Sequence, residues 1–367
     1  MTTESSAFEK LLKRISPEEV PPSGDLLSAS TLERALCEMG NPEYDVIVGG
    51  DVMLGGRSAS LVRAHGPTYA FQAVRPLLER APIGLANLEG PLARDARKQE
   101  RNFSYRVQPD TASALMSSGI NVVTLANNHL TDCGRSGVIE TLDALAAAGV
   151  RAIGAGLNRD LAHTGAVMQT LHGRLGLLGY YWNRRTAATS DLPGSAMDPP
   201  EELARDIARM RGLADYVLVT FHWGVPYIRE PASADREKAR WAIECGADAV
   251  VSHHPHIVQA FEVYRGCPIF YSVGNFAFGS GNSHAEGVLV ALRFDRTRTT
   301  VDVFPLYVKN RDPRVDYQPK VLTGQSAQRS LRRLAQLSSH HAAELDIEHA
   351  RGRLTLWRCN ATGGSGA

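Results

Sequence analysis

Short apolar runs that each close on a polar cluster recur along this chain, and they set the architecture to expect. Val46-Ile47-Val48 runs into Gly49, Gly50 and Asp51, and Ile83 to Ala86 runs into Asn87, Leu88 and Glu89. Val122 to Leu125 closes on Asn127, Asn128 and His129, and Tyr216 to Val219 leads to His222. Ala249 to Val251 is followed by His253, His254, Pro255 and His256. Runs this short and rich in branched residues read as buried strands. Helical spacing lies between them, as over 137–148 and 235–245. Strand–helix alternation predicts an α/β fold with a largely parallel central sheet. Strand patterns without long helices follow over 257–263, 269–272, 287–294 and 299–306, which predicts a second, more antiparallel sheet stacked on the first. A helix over 325–345 and a strand over 354–357 complete the expected elements.

The same texture divides the chain. Residues 1–43 read as an N-terminal helical extension: an amphipathic stretch with Phe8, Leu11 and Leu12, a Pro21-Pro22-Ser23-Gly24 break, then a helix over 30–39. Residues 44–358 form the domain, and the Gly/Ser-rich 359–367 reads as a disordered tail.

Composition narrows the function. Of 367 residues, 43% are hydrophobic and 22% charged, enough for a packed core. A net charge of +1 gives no electrostatic case for nucleic acid or an anionic membrane surface. The five cysteines are scattered, with no CxxC pair, so neither a zinc ribbon nor a disulfide framework is expected. No apolar stretch resembles a leader or a membrane span. The expectation is a soluble, cytoplasmic protein.

The polar clusters carry the chemistry. Alternate residues on an extended segment share a face, so His254 and His256 can present two imidazoles to one point. Asp51, Glu89, Asn128 and His222 also stand just after apolar runs, where the carboxyl ends of strands form a ligand crevice. Each residue alone has an ordinary reading as a cap, a turn amide or a core histidine. Their joint placement after five strands points instead to a metal centre. Carboxylates, an amide and imidazoles together suit Mn, Fe or Zn better than Ca or Mg.

In order along the chain, Gly49-Gly50-Asp51-Val52-Met53, Asn87-Leu88-Glu89-Gly90-Pro91, Asn127-Asn128-His129 with Asp132, His222-Trp223-Gly224, His253-His254-Pro255-His256 and Tyr271-Ser272-Val273-Gly274-Asn275-Phe276 form six blocks. Over 44–306 these resemble the CapA proteins, named for poly-γ-glutamate capsule biosynthesis, of the calcineurin-like metallophosphoesterase superfamily. The resemblance implies a four-layer α/β/β/α sandwich of two mixed sheets with a metal centre, often binuclear. It implies that Asp51 and His256 hold a first metal, that Asn128, His222 and His254 hold a second, and that Glu89 bridges them. It makes His129 the catalytic histidine, with Asp132 orienting it.

Two positions depart from the superfamily pattern. Met53 stands where a histidine is usual, and Pro226 stands where the family often carries an acid, with Glu230 nearby. Arg57, Tyr105, Arg106, Arg184 and Glu230 are candidates to grip a small anionic substrate, against the plain reading of solvated surface residues. The function to expect is a metal-dependent hydrolase acting on a phosphoester or γ-glutamyl-type amide of an intracellular small molecule. A tailoring enzyme of small-molecule biosynthesis, or a non-catalytic accessory protein in poly-γ-glutamate synthesis, is the alternative.

Overall fold

Strand β1 (Val46–Met53) is buried throughout, and its side chains divide between two cores. Ile47 joins one apolar cluster, and Val46 and Val48 another. The two-residue period of a strand separates them, so both faces of this sheet are covered. The computed structural model describes residues 20–56, 58–100, 103–280, 286–339, 344–348 and 350–357. Residues 1–19, Arg57 and the tail from 358 lie outside this description.

Parallel pairing continues from β1 through β2 (Ile83–Leu88) and β3 (Val122–Thr124) to β4 (Arg151–Ile153). After β5 (Ala155–Gly156), strands β6 (Ala166–Gln169) and β7 (Arg174–Tyr181) open a second sheet. The short β8 (Gly194–Ser195) pairs back with β5. Strands β9 (Tyr216–His222), β10 (Ala249–Val251), β11 (Phe261–Tyr264) and β12 (Cys267–Phe270) complete the second sheet, in the order β11-β12-β10-β9-β7-β6. The chain then returns to the first sheet. There β13 (Asn275–Phe278) pairs in parallel with β1, and β14 (Gly287–Phe294) lies antiparallel along it. The sheet extends outward through β15 (Arg298–Tyr307), with β16 (Lys320–Val321) on its flank, to β17 (Asp346–Glu348) and β18 (Arg351–Trp357).

Helices α1 (Ala29–Glu38), α2 (Ser58–His65), α3 (Arg75–Leu78), α4 (Thr111–Ser117) and α5 (Gly134–Ala147) accompany the first sheet. Leu32, Leu77, Leu115 and Val138 from four of them pack on its outer face with Ile47. Helices α6 (Arg159–His163), α7 (Pro200–Arg211) and α8 (Ser233–Glu244) cover the second sheet, where Leu203, Ile207 and Ala242 meet Val217 and Val219. Between the sheets, Val46, Val48 and Leu85 face Leu177, Leu218 and Val251. Three apolar layers separate four structural layers, which is the α/β/β/α sandwich. Helix α9 (Gly324–Ser338) adds Leu331 and Leu334 to the middle layer. Helix α1 is tied into the core by Leu32 and Leu36, and Ser28 caps it by accepting from the Thr31 amide. Among the described residues no helix is long and apolar enough to cross a membrane.

The strands are distributed differently from the sequence expectation. β9 and β10 belong to the second sheet, while β14 and β15 belong to the first. A fully buried apolar strand carries no mark of which sheet it joins, because both its faces are apolar in either place. The late helix ends at Ser338, and 346–348 is a strand. The strand expected over 257–263 begins only at Phe261, because 254–257 is a run of bends.

Gly50 explains the first polar block. A Cβ there would lie 1.9 Å from the Gly274 carbonyl oxygen. Only glycine admits that approach, and the next amide, Asp51 N–H, donates to the same carbonyl at 3.0 Å. The contact brings Asn275 alongside Asp51.

Candidate metal centre

Asp51 lies within β1, Glu89 follows β2, and Asn128 and His129 follow β3, all at one end of the first sheet. His222 ends β9, and His254 and His256 follow β10 in the second. The sheets stack with these ends aligned, so the six residues expected as ligands meet at one edge of the sandwich. Glu89, His254 and His256 offer donor atoms within 4.8 Å of one another, and so do Asp51, Glu89 and His222. Glu89 is common to both groups, a geometry that suits a carboxylate between two cations.

Amides that the sequence reading passed over hold the carboxylates. Asn87 Nδ2 donates to Asp51 Oδ1 at 2.8 Å and to Glu89 Oε1 at 3.0 Å. Its own Oδ1 accepts from Asn127 Nδ2 at 3.0 Å, and Asn127 Oδ1 accepts from the His129 amide at 3.1 Å. Asn87 lies two residues before Glu89, so strand alternation already placed it on that face. Asn275 Oδ1 lies 2.8 Å from His256 Nδ1 and fixes that ring, leaving Nε2 toward Glu89 Oε2 at 4.0 Å. His222 Nε2 lies 2.8 Å from Asn128 Oδ1, and its Nδ1 lies 3.8 Å from Glu89 Oε1.

The two imidazoles of the His-Pro-His run converge for a reason other than strand alternation. His254 and His256 have φ of 104° and 58°. The segment is a left-handed turn, and it sets their ring centroids 6.0 Å apart. Non-glycine residues in such conformations cost on the order of 1–3 kcal/mol each and cluster at functional sites.

Four observations fit these residues to bound cations. Glu89 Oε2 and His254 Nδ1 are buried without a hydrogen-bond partner, and Asp51 Oδ2 has only His256 Nδ1 beside it at 3.2 Å, a costly condition for buried carboxylates. Burial, and then the neighbouring Asp51, push the Glu89 carboxyl well above its usual range. Burial also raises Asp51, but the His256 hydrogen bond and charge, with His253 and Asn87, outweigh it and the net shift is downward. Burial, and then the adjacent imidazoles, hold His222 well below its ordinary value. The His222 ring is therefore neutral near pH 7, the form that ligates metal. Divalent cations would relieve the carboxylate repulsion directly.

His253, unremarked among the ligand candidates, is fully buried with both ring nitrogens unpartnered. Burial lowers it to about 4, and burial with the nearby His256 lowers His254 to about 4. Both values lie below the ordinary 6.5, so between them the unfolded chain binds more protons than the folded one. The His253 contribution to the stability of the metal-free protein is therefore present above about pH 6.5 and lost as pH falls toward 4, on the order of 3 kcal/mol, while the raised Glu89 carboxyl acts in the opposite direction. Urea midpoints of chelator-treated protein should fall more steeply across that window in the parent than in a His253→Asn variant, and parallel profiles would contradict this.

Beside the ligands, His129 Nδ1 lies 2.8 Å from Asp132 Oδ2. That oxygen also accepts the Tyr105 amide at 2.7 Å, and the Tyr105 ring packs on the imidazole at 4.4 Å. Tyr105 is thus inside the site. Arg106 and Arg184 are exposed, and Glu230 is exposed and paired with Arg236 at 2.8 Å. Met53 keeps its sulfur on the Gly55 amide at 3.1 Å. Arg135 of α5 donates to the carbonyls of Arg185, Thr186, Ala187 and Pro193, pinning the loop after Tyr181 against this side of the site.

The profile of the bacterial capsule synthesis protein family PGA_cap matches residues 45–280, a span that contains every ligand candidate. The chain belongs to that family. It is 32% identical to the capsule biosynthesis protein CapA of Bacillus anthracis over 288 residues, covering 75% of this chain and 70% of that one. It is 30% identical to the PGA biosynthesis protein CapA of Bacillus subtilis over 271 residues, covering 72% and 71%. A probable polyglutamine synthesis accessory protein of Mycobacterium tuberculosis is 30% identical over 285 residues, covering 64% and 75%. The PGA_cap match ends near the close of β13, so β14 to β18 and α9 lie outside it.

Proposed function

We propose that this protein is a metal-dependent hydrolase of the CapA type that cleaves a γ-glutamyl-type amide of an intracellular small molecule. One observation carries the reading: two buried carboxylates, Glu89 with an unsatisfied oxygen, stand beside a fixed imidazole–carboxylate pair at one edge of the sandwich. Cations such as Mn, Fe or Zn, when bound, supply Lewis acidity and a water of lowered pKa. Asp51, Glu89, Asn128, His222, His254 and His256 hold them, and Asn87 and Asn275 fix the faces these ligands present. Asp132 accepts from His129 Nδ1–H and turns the Nε2 edge toward substrate. There Nε2 takes up the proton given off by the attacking water, and His129 hands that proton to the departing nitrogen as the C–N bond breaks.

The amide is preferred to a phosphoester because relatives carry names of PGA biosynthesis and polyglutamine synthesis. The accessory reading draws on one of the same names, and the oriented His129–Asp132 pair weighs against it. Cys37, Cys133, Cys245 and Cys267 are free thiols, which supports a reducing, cytoplasmic setting.

Chelator-treated protein reloaded with Mn, Fe(II) or Zn should release p-nitroaniline from γ-glutamyl-p-nitroanilide, and unloaded protein should not. Turnover of p-nitrophenyl phosphate alone would move the assignment to phosphoesters. Silence on both substrates with every metal would leave the accessory reading in possession.

A further inference from the structure

We propose that the aromatic cleft opening on His222 and His254 seats the non-reacting end of the substrate, and that this end is an organic ammonium on an apolar or aromatic stem. The proposal rests on the hydrolase reading and names a substrate feature that reading leaves open.

The cleft has a volume of about 860 Å³, within the range of small-molecule sites. His222 and His254 line it, so a molecule bound there abuts the candidate metal centre. Trp182, Trp223 and Trp241 form its aromatic walls. Trp223 is locked in place, stacked on Phe221 at 4.6 Å with its Nε1–H on the Tyr271 carbonyl at 2.9 Å. Trp182 and Trp241 are 52% and 41% exposed. Large rings left open around a concave site call for a ligand rather than for packing.

Charge selects the kind of ligand. Three carboxylates, Asp198, Asp235 and Glu237, line the cleft against one cation, Lys238. Asp198 is 3% exposed; its Oδ2 pairs with Lys238 Nζ at 2.7 Å, while its buried Oδ1 has no hydrogen-bond partner. A buried carboxylate oxygen in that condition demands a donor. Asp235 is half-buried, and its Oδ2 lies 3.7 Å from where a Cβ on Gly224 would sit, beside the turn that follows His222. Indole faces attract cations, as Lys238 Nζ shows at 5.4 Å over the Trp182 ring. A second anion in the cleft would meet three carboxylates, whereas an ammonium is drawn by both the indole faces and the acidic lining. The anionic character expected of the substrate then belongs at the metal centre, and the far end carries the opposite sign.

Tryptophan fluorescence tests this directly, since three of the four tryptophans line the cleft. Chelator-treated full-length protein would be titrated with 2-phenylethylamine, 3-phenylpropionate and 2-phenylethanol. The amine should bind about ten-fold more tightly than either counterpart, and Asp235→Asn should erase about that factor. Trp182→Ala should weaken the amine with less change for the alcohol. Equal binding of the carboxylate or alcohol, no binding of the amine, or an Asp235→Asn variant indistinguishable from the parent would overturn the proposal. Because the titration needs neither metal nor turnover, amine selectivity without hydrolysis would sink only the hydrolase reading. Hydrolysis without amine selectivity would sink only the cleft assignment.

Discussion

His254→Gly protein is expected to fold, to lose bound metal and to lose turnover. At φ 104° the native histidine holds a conformation that glycine adopts freely, so this replacement removes the imidazole and relieves backbone strain together. An alanine variant would keep the strain and confuse a folding defect with a lost ligand. Disturbing groups behind a ligand already costs about 10–100-fold in metal affinity, so removing a donor from this edge should cost at least that much. Elemental analysis of the purified variant beside the parent, with urea midpoints for both, separates the effects. A variant that keeps the parent's metal content and full activity would remove His254 from the ligand set. Greater stability of the metal-free variant than of the chelator-treated parent would show that the strained turn is maintained for ligation.

The second large effect concerns His129. His129→Gln should lower kcat by about 10²–10⁴-fold, the usual contribution of a positioned proton donor, while metal content stays at the parent level. Asp132→Asn should lower it less, about 10–100-fold, because the imidazole remains but its tautomer and tilt are no longer imposed. Its pH–rate profile should shift with it, which a merely structural role would not produce. The Asp132 carboxylate also anchors the Tyr105 amide, so the Asn variant needs circular dichroism beside the kinetics. Loss of metal in His129→Gln would make His129 a ligand, and retained turnover would make it a bystander.

Much of the site could be read along the chain because its chemistry is local. Each ligand candidate stands just after an apolar run, and the order of the six blocks is itself specific. The His129–Asp132 pair, which the CapA resemblance implied, is three residues apart and joined within one turn. Asn87, Asn127 and His253 went unweighed because amides and imidazoles beside stronger candidates look like ordinary turn residues until their partners are known. The assignment of β9 and β10 to the second sheet was likewise illegible, since an all-apolar strand pairs equally well in either.

What the sequence determined by itself was part of the inventory: five buried strands, the polar clusters that follow them, and the match of those clusters to the CapA blocks. Local propensity and side-chain alternation suffice for that, because they act between residues near in sequence. Only the tertiary structure decided that carboxylates from one sheet and imidazoles from the other share an edge, and that the histidine pair meets through a left-handed turn. It also set an acidic, aromatic cleft against the same centre. Those outcomes depend on contacts between segments far apart in the chain, whose energies appear only once both sheets have buried their common core.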